Sequence, residues 1–423
     1  MARKRTVRWG GLTAVLVAAL LAGAAWAQGT ILLGGVGPLS QPGAVQAGLD
    51  MKWAMEQAVA DVNAGGGVLG KQLKLVFYDT QNQPDVAASV AERLVSEDKV
   101  VGVVGEYHSG AALAQIPVYN KAGLPAIFSE TWSDKITCGD PNQAGLTVHP
   151  PTIFRIAPTS TYAGSILTDW LVNGLHVKKV VEIYEATDFG QSQAAAMKKQ
   201  LGDAGVQLQQ IKVELNQADY SAILSRVAQQ NPDADAVVFD VTGESSYVVE
   251  QNAFDVGLVG HGAVPVVNQV AQDAPAYWRA VPDGVGAVFR FVGLTPSSYN
   301  DLTKSVAQRY TAKFGGDPKV WVFEAYDSVR LMADAIARAG TTDSQAVVKA
   351  LENTSYTGAQ GTYSFPYGSQ HPLPASQPCW MWHQWPNPPI QMVEYTKKGA
   401  SMSDAAIVWP EARQTAGAAY VKP

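Results

Sequence analysis

The residues best suited to chemistry lie in one turn. Val100-Val101-Gly102-Val103-Val104 is a short apolar, β-branched run, and Gly105-Glu106-Tyr107-His108-Ser109-Gly110 follows it. The run fits a strand buried on both faces of a parallel sheet. Ala111 to Lys121 reads as a helix, closed by Gly123 at the position where glycine is favoured. A strand-to-helix turn of this kind offers backbone N–H groups, the Ser109 hydroxyl and the positive end of a helix dipole, with Tyr107 beside them. Together these suit a carboxylate or another anion. The same residues also fit an ordinary turn, so the rest of the chain has to decide.

Other chemistries fare worse. His108-Ser109 is not a catalytic pair, because adjacent residues do not aim their side chains at each other and no G-x-S-x-G elbow is present. Gly65-Gly66-Gly67-Val68-Leu69-Gly70 fits the letters of a dinucleotide loop. It follows a helix and opens a strand, however, the reverse of what such a loop needs. The six histidines show no metal-ligand spacing. No enzyme, cofactor or metal is expected. Most of the 11 tryptophans read as packing residues. Trp132 is the exception, since its loop follows the next strand.

The elements around the turn set a frame. Strands are expected at 31–36, 73–78, 100–104 and 125–128, with helices at 44–63 and 85–96 between them. The second helix has Pro84 at a first helical position. After a long loop at 129–151 and an extended crossing at 154–159, the alternation restarts. Helices at 161–175, 191–201, 221–230 and 245–256 alternate with strands at 180–184, 206–215, 236–240 and 264–267. A return crossing is expected at 285–292, then helices at 299–314, 322–339 and 344–353. A third crossing is expected near 361–365, and Cys379–Trp385 is the one strand-like piece of the tail. Alternation of this length implies α/β architecture, with parallel sheets covered on both faces.

Composition narrows the class. The chain has 423 residues, of which 47% are hydrophobic and 16% charged, and its net charge is −6. A packed protein of two or three domains follows, with no basic patch for nucleic acid. Arg3, Lys4, Arg5 and Arg8, the apolar run Gly10–Gly23 and Ala25-Trp26-Ala27 read as a cleaved secretory signal over 1–27. The run is shorter than the ~20 residues a spanning helix needs. The remaining chain carries 27 basic and 37 acidic residues, a net charge of −10. Export permits a disulfide between Cys138 and Cys379, but sequence cannot bring them together.

Several phrases, in order, carry a resemblance. They are Gly37-Pro38-Leu39-Ser40, Asp61-Val62-Asn63-Ala64-Gly65-Gly66-Gly67, Tyr78-Asp79-Thr80, Gly105 to Ser109, Phe154-Arg155, Asp188-Phe189-Gly190, Asp219-Tyr220-Ser221 and Glu324-Ala325-Tyr326-Asp327. Together they resemble the branched-chain amino-acid (Leu/Ile/Val-binding) type of periplasmic solute-binding protein of ABC importers. The resemblance implies the type I fold, two doubly wound parallel-sheet lobes joined by three hinge crossings. The lobes would comprise 28–156 plus 290–355 and 157–289 plus 356–423. It also implies a periplasmic, monomeric receptor that hands a small solute to a membrane permease. By position, Ser109 would grip the ligand carboxylate, and Glu130 and Trp132 would follow on the next loop. Gln46 would cover the ligand, Phe189 would wall it, and Thr242 would face it from the second lobe. Where amino-acid binders place a carboxylate for the ligand ammonium, this chain reads Asn268-Gln269. Either Glu130, Asp188 or Asp240 takes that role, or the ligand is an amide, an aromatic acid or another carboxylate. A sensor for a signalling partner is the alternative use of the same fold. An exported hydrolase would need a catalytic constellation that the sequence does not offer.

Overall fold

The computed structural model describes residues 29–143, 145–267 and 274–415. The expected secretory signal and Gln269 lie outside these residues. The first lobe runs β1 (Thr30–Gly37), α1 (Val45–Ala64), β2 (Gln72–Asp79), α2 (Pro84–Ser96), β3 (Val103–Gly105), α3 (Ser109–Ala122), β4 (Ala126–Phe128), α4 (Lys135–Cys138) and β5 (Ile153–Arg155). Its strands form one parallel sheet in the order β2-β1-β3-β4-β5. The apolar stripe of α1, which holds Met51, Ala54, Met55 and Ala58, turns into the core. Gly48 breaks that stripe for a reason. A Cβ there would stand 1.5 Å from the Pro38 carbonyl oxygen, so only glycine lets the β1–α1 loop lie against the helix.

The second lobe opens with α5 (Ser160–Asp169), capped by the Thr159 hydroxyl and followed by a π-helical turn at Trp170–Gly174. It continues β6 (Lys179–Glu185), α6 (Asp188–Asp203), β7 (Gln207–Val213), α7 (Ser221–Gln230), β8 (Ala236–Asp240), α8 (Gly243–Asp255), β9 (Val264–Val267), α9 (Ala274–Ala280) and β10 (Val288–Val292). Then come α10 (Asp301–Phe314), α11 (Val320–Ala339), α12 (Ser344–Glu352), the hairpin β11 (Ser355–Gly358) and β12 (Gly361–Ser364), and finally β13 (Ile390–Glu394) and β14 (Ala406–Trp409). The second sheet runs β14-β13-β10-β9-β8-β6-β7, with β13 antiparallel to both its neighbours. The parallel strands of the two lobes thus share one winding, in which the order reverses beside the lobe's first strand. Ligands bind such sheets outside the strand carboxyl ends at that reversal. Here it lies between β1 and β3 in one lobe and between β6 and β8 in the other.

The crossings differ from the sequence reading. All of Val288–Val292 pairs within the second sheet, so the chain leaves that lobe after 292 rather than at 290. The hairpin at 355–364, which the sequence reading assigns to the second lobe, packs on α11. There the buried Asp327 carboxylate accepts the N–H groups of Ala359 (2.9 Å) and Gln360 (3.2 Å) and the Tyr363 hydroxyl (2.7 Å). The chain rejoins the second sheet only at β13.

Residues 366–389 form a strap across the first lobe. Cys138 and Cys379 are disulfide-bonded, closing the pair that sequence left open. Trp382 stacks on His149 (4.9 Å), and His383 stacks on Phe154 (4.0 Å). The buried Arg155 binds Gln384 of the strap and the Ser133 carbonyl of the β4–β5 loop. These contacts hold the tail in irregular backbone, with a short 3-10 turn at Cys379–Met381 where a strand was expected. Among the described residues, no helix is long and apolar enough to cross a membrane.

Candidate functional site

The β3–α3 turn is built differently from the expectation. Gly105 has φ +112°, and a Cβ there would meet the Val36 carbonyl oxygen at 2.4 Å. Glu106 follows at φ +65°, an uncommon conformation for a residue with a side chain. This folds its carboxylate back over its own turn. It accepts the N–H groups of Tyr107 (3.0 Å) and His108 (3.2 Å), the Gln115 amide (2.6 Å) and the Thr80 hydroxyl (3.3 Å). Burial raises the Glu106 pKa, and these donors oppose the rise. Two amides expected to receive a ligand anion are therefore held by the chain's own carboxylate.

Ser109 is also engaged within the protein. Its Oγ accepts the N–H groups of Trp132 (3.2 Å) and Ser133 (3.1 Å), which fixes the β4–α4 loop against α3. The first-turn amides of α3 have no intrahelical acceptors. Asp188 of the second lobe comes close to this turn, since a Cβ at Gly110 would lie 3.1 Å from its Oδ2. His108 Nε2 accepts the Ala44 N–H (3.0 Å), which places the imidazole proton on Nδ1. Burial lowers the His108 pKa to about 3, so the ring is neutral.

Trp132 and Phe189 meet across the lobes edge-to-face, with ring centroids 5.9 Å apart. The Arg290 guanidinium lies 4.9 Å from the Trp132 ring. Such contacts add about 0.5–1.5 kcal/mol each beyond area burial. Arg290 Nη2 pairs with Asp240 Oδ1 at 2.9 Å, and both residues are buried. Arg290 Nε finds no acceptor among the described residues. Burial, and then the neighbouring Asp240, hold the Glu182 pKa well above the carboxylate range. The first lobe has a counterpart. Glu324, on α11, is raised by burial and then by its contact with Glu130.

Between the lobes lies a cavity of about 260 Å³. Gln46, Tyr107, Lys319 and Trp321 wall it from the first lobe, and Glu244, Tyr247 and Arg279 from the second. It sits at the winding reversal of both sheets. The first wall is set by Asp50, which is fully buried on α1. Its carboxylate accepts the Gln46 amide (2.9 Å), the Tyr310 hydroxyl (2.9 Å) and Trp321 Nε1–H (3.1 Å), and pairs with Lys319 Nζ at 3.5 Å. The Tyr107 and Trp321 rings meet at 86° with centroids 5.8 Å apart, forming a corner. In the second wall, Thr242 N–H and Oγ1–H both donate to Glu185 at 2.7 Å. Burial lifts the Glu185 carboxyl to about 7 against these donors.

Of the residues expected from sequence, Gln46 and Tyr107 line this cavity. Thr242 stands one residue from Gly243 in its wall. Ser109, Glu130, Trp132 and Phe189 are brought together but buried in the contact between lobes. Asp188 faces α3, and Asp240 is held by Arg290. Sequence reasoning missed Asp50, Glu185, Tyr247, Arg279, Lys319 and Trp321. One signal for Asp50 was present. It is an acid inside the apolar stripe of α1, where a buried carboxylate demands donors. Among the described residues, no cluster of His, Cys, Asp and Glu could hold a metal.

Comparison with known proteins agrees with this fold. A profile described as periplasmic binding protein matches residues 30–381. An "amino acid binding protein" of Pseudomonas aeruginosa is 27% identical over 335 residues, covering 79% of this chain and 85% of its own. A Leu/Ile/Val-binding protein homolog of Brucella abortus is 26% identical over 347 residues, covering 80% and 86%. Among solved structures, a branched-chain amino-acid transporter substrate-binding protein from Streptococcus pneumoniae, in complex with isoleucine, superposes with a TM-score of 0.73. It is 23% identical and covers 90% of this chain and 100% of its own. A solute-binding protein of an ABC transporter from Rhodopseudomonas palustris, in complex with 3,4-dihydroxybenzoic acid, superposes at 0.71. It is 21% identical and covers 86% and 93%. These structures share the type I periplasmic binding fold.

Proposed function

Because the chain belongs to the periplasmic binding protein family, we propose that it is the extracytoplasmic receptor of an ABC importer, closing its two lobes on a small polar solute. The observation that carries this reading is the cavity at the winding reversal, walled by both lobes at once. A ligand held there contacts both lobes only when they are closed, so its binding energy favours the closed form. The protein performs no chemistry on the solute, and its partner is a membrane permease that reads the closed state. The relatives named for amino acids make an amino acid the default solute. The dihydroxybenzoate complex keeps an aromatic acid as the second candidate.

A thermal-shift screen of amino acids, amides and aromatic acids tests the reading, followed by titration calorimetry of any responder. A responder should raise the melting temperature with its concentration. Replacing Tyr107 or Tyr247 by Ala should weaken it by about tenfold or more, about 1.4 kcal/mol. The reading is lost if no solute in the screen shifts the melting curve.

A further inference from the structure

The disulfide lies where a lobe-to-lobe contact meets the crossings. Asp134 heads the short helix α4, and Cys138 ends it. The Asp134 carboxylate accepts the N–H (3.2 Å) and the hydroxyl of Thr161, in the first turn of α5. Its own N–H donates to Ser192 Oγ (3.3 Å) on α6. One turn of first-lobe helix thus holds two helices of the second lobe. Cys138 fastens that turn to Cys379 of the strap, and the Thr137 hydroxyl donates to the Trp380 carbonyl (3.0 Å) beside it. Further along the strap, Gln384 Nε2 donates to the Ala157 carbonyl (2.8 Å) of the first crossing. The strap then becomes the last crossing, where the Pro389 carbonyl accepts the Gly293 N–H (2.8 Å) of the return crossing. The crossings therefore hang on a segment that one S–S bond fastens to the lobe contact. That bond is open to attack. Cys379 is exposed and Cys138 half-buried, and the strap from Ser369 to Pro378 is exposed except at Leu373. The chain has no third cysteine with which the bond could reshuffle.

We propose that the Cys138–Cys379 bond is a redox latch on lobe closure, opened by a small dithiol. The reductant's thiolate attacks the exposed Cys379 sulfur, forming a mixed disulfide and releasing the Cys138 thiolate, which takes up a proton. The reductant's second thiol then loses its proton and displaces Cys379, which is protonated in turn. Two electrons pass to the protein, the dithiol leaves as a disulfide, and both cysteines end as thiols. With the bond open, α4 no longer steers the strap, and the crossings gain freedom that closure must remove. The closed form is then less preorganised, so a solute that needs it binds more weakly. Linkage makes the effect reciprocal, and a solute that favours closure protects the bond from reduction. The freedom of the crossings is independent of the receptor reading, and its consequence for solute capture rests on it.

Hydrogen exchange read by mass spectrometry tests the latch on the folded protein, oxidised and after treatment with dithiothreitol. Exchange times are kept too short for the core strand 236–240 to exchange in the oxidised form. Thiol counting should show that dithiothreitol opens the bond in the folded state. Peptides over 156–159, 293–295 and 385–389, and the α6 peptide around Ser192, should then exchange about tenfold faster, with 236–240 still protected. Reoxidation should restore the first pattern, and Cys138→Ser with Cys379→Ser should match the reduced protein. Faster exchange confined to 369–382 would make the bond a local staple and overturn the proposal. So would faster exchange everywhere, 236–240 included, because that is general loosening. A bond that resists dithiothreitol until the protein unfolds overturns it as well. Leucine and benzoate are the solute probes. One that binds the oxidised protein should bind the reduced protein about fivefold more weakly and slow the reduction, and equal affinity in the two states contradicts the latch. Silence across the wider solute screen removes the receptor reading alone, and the exchange pattern still decides the latch.

Discussion

Both lobes bury a pair of acidic side chains beside the cleft, yet they neutralise the pairs differently. In the second lobe, Asp240 pairs with the Arg290 guanidinium at 2.9 Å, and burial and then Asp240 raise Glu182 well above the carboxylate range. In the first lobe, Glu324 keeps its proton against Glu130 on the side of the cleft that carries Tyr107. The first lobe is secured elsewhere by covalent and aromatic contacts, through the Cys138–Cys379 strap. The difference teaches that similar sheets can be closed by charge in one case and by chain tethering in the other.

Removing the cation should break the second lobe most severely. Arg290→Met leaves Asp240 buried beside Glu182 without its counter-charge, a loss of roughly 3–5 kcal/mol. Urea unfolding measures it, and a loss below about 1 kcal/mol would show that the pair is solvated. Removing the tether should break the first lobe next. Cys138→Ser with Cys379→Ser opens a loop spanning 241 residues, at a cost of roughly 2–4 kcal/mol. Reduction of the native protein should reproduce the shift in melting temperature.

Acidity sharpens the contrast further. Glu185 in the second lobe has its pKa raised by burial to about 7. Its protonated form is favoured on folding, so its contribution is complete below about pH 4.5 and is lost as pH rises towards 7. That is roughly 2–3 kcal/mol. Glu352, which holds the strap through His383, Ser369 and Gln370, is lowered to about 2 by these partners against the pull of burial. Its contribution is complete above about pH 4.5 and is lost as pH falls towards 2. Glu185→Gln should therefore flatten the stability profile between pH 4.5 and 7 and leave the acid limb unchanged, as pH-resolved melting curves would show. The smallest effect belongs to Glu324→Gln. An amide can replace a protonated carboxyl as donor, so stability at pH 7 should move by less than about 1 kcal/mol. A larger loss would mean that Glu324 is ionised.

Much of the fold was legible because its elements have periodic causes. The buried strands at 103–105, 126–128 and 236–240 are short apolar runs, and the amphipathic α1 and α11 repeat at helical spacing. The crossings were less legible. Asp327 draws the 355–364 hairpin onto α11 through contacts about 30 residues apart, and no local pattern announces that. The site was legible in position but not in detail. The sequence pointed to the β3–α3 turn, and Tyr107 there does line the cavity. What it could not show was Glu106 turning back to take the amides, because that depends on a left-handed backbone at one residue. Nor could it show Tyr247, Arg279 and Trp321 converging from three helices.

The central claim is that one solute is gripped by two walls from different lobes. Its most direct test is calorimetric titration of a solute found in the screen against Tyr107→Ala and Tyr247→Ala, one substitution in each wall. The account predicts that each variant keeps its fold and loses about tenfold or more in affinity. Unchanged affinity in either variant would place the solute on one lobe alone and contradict the account.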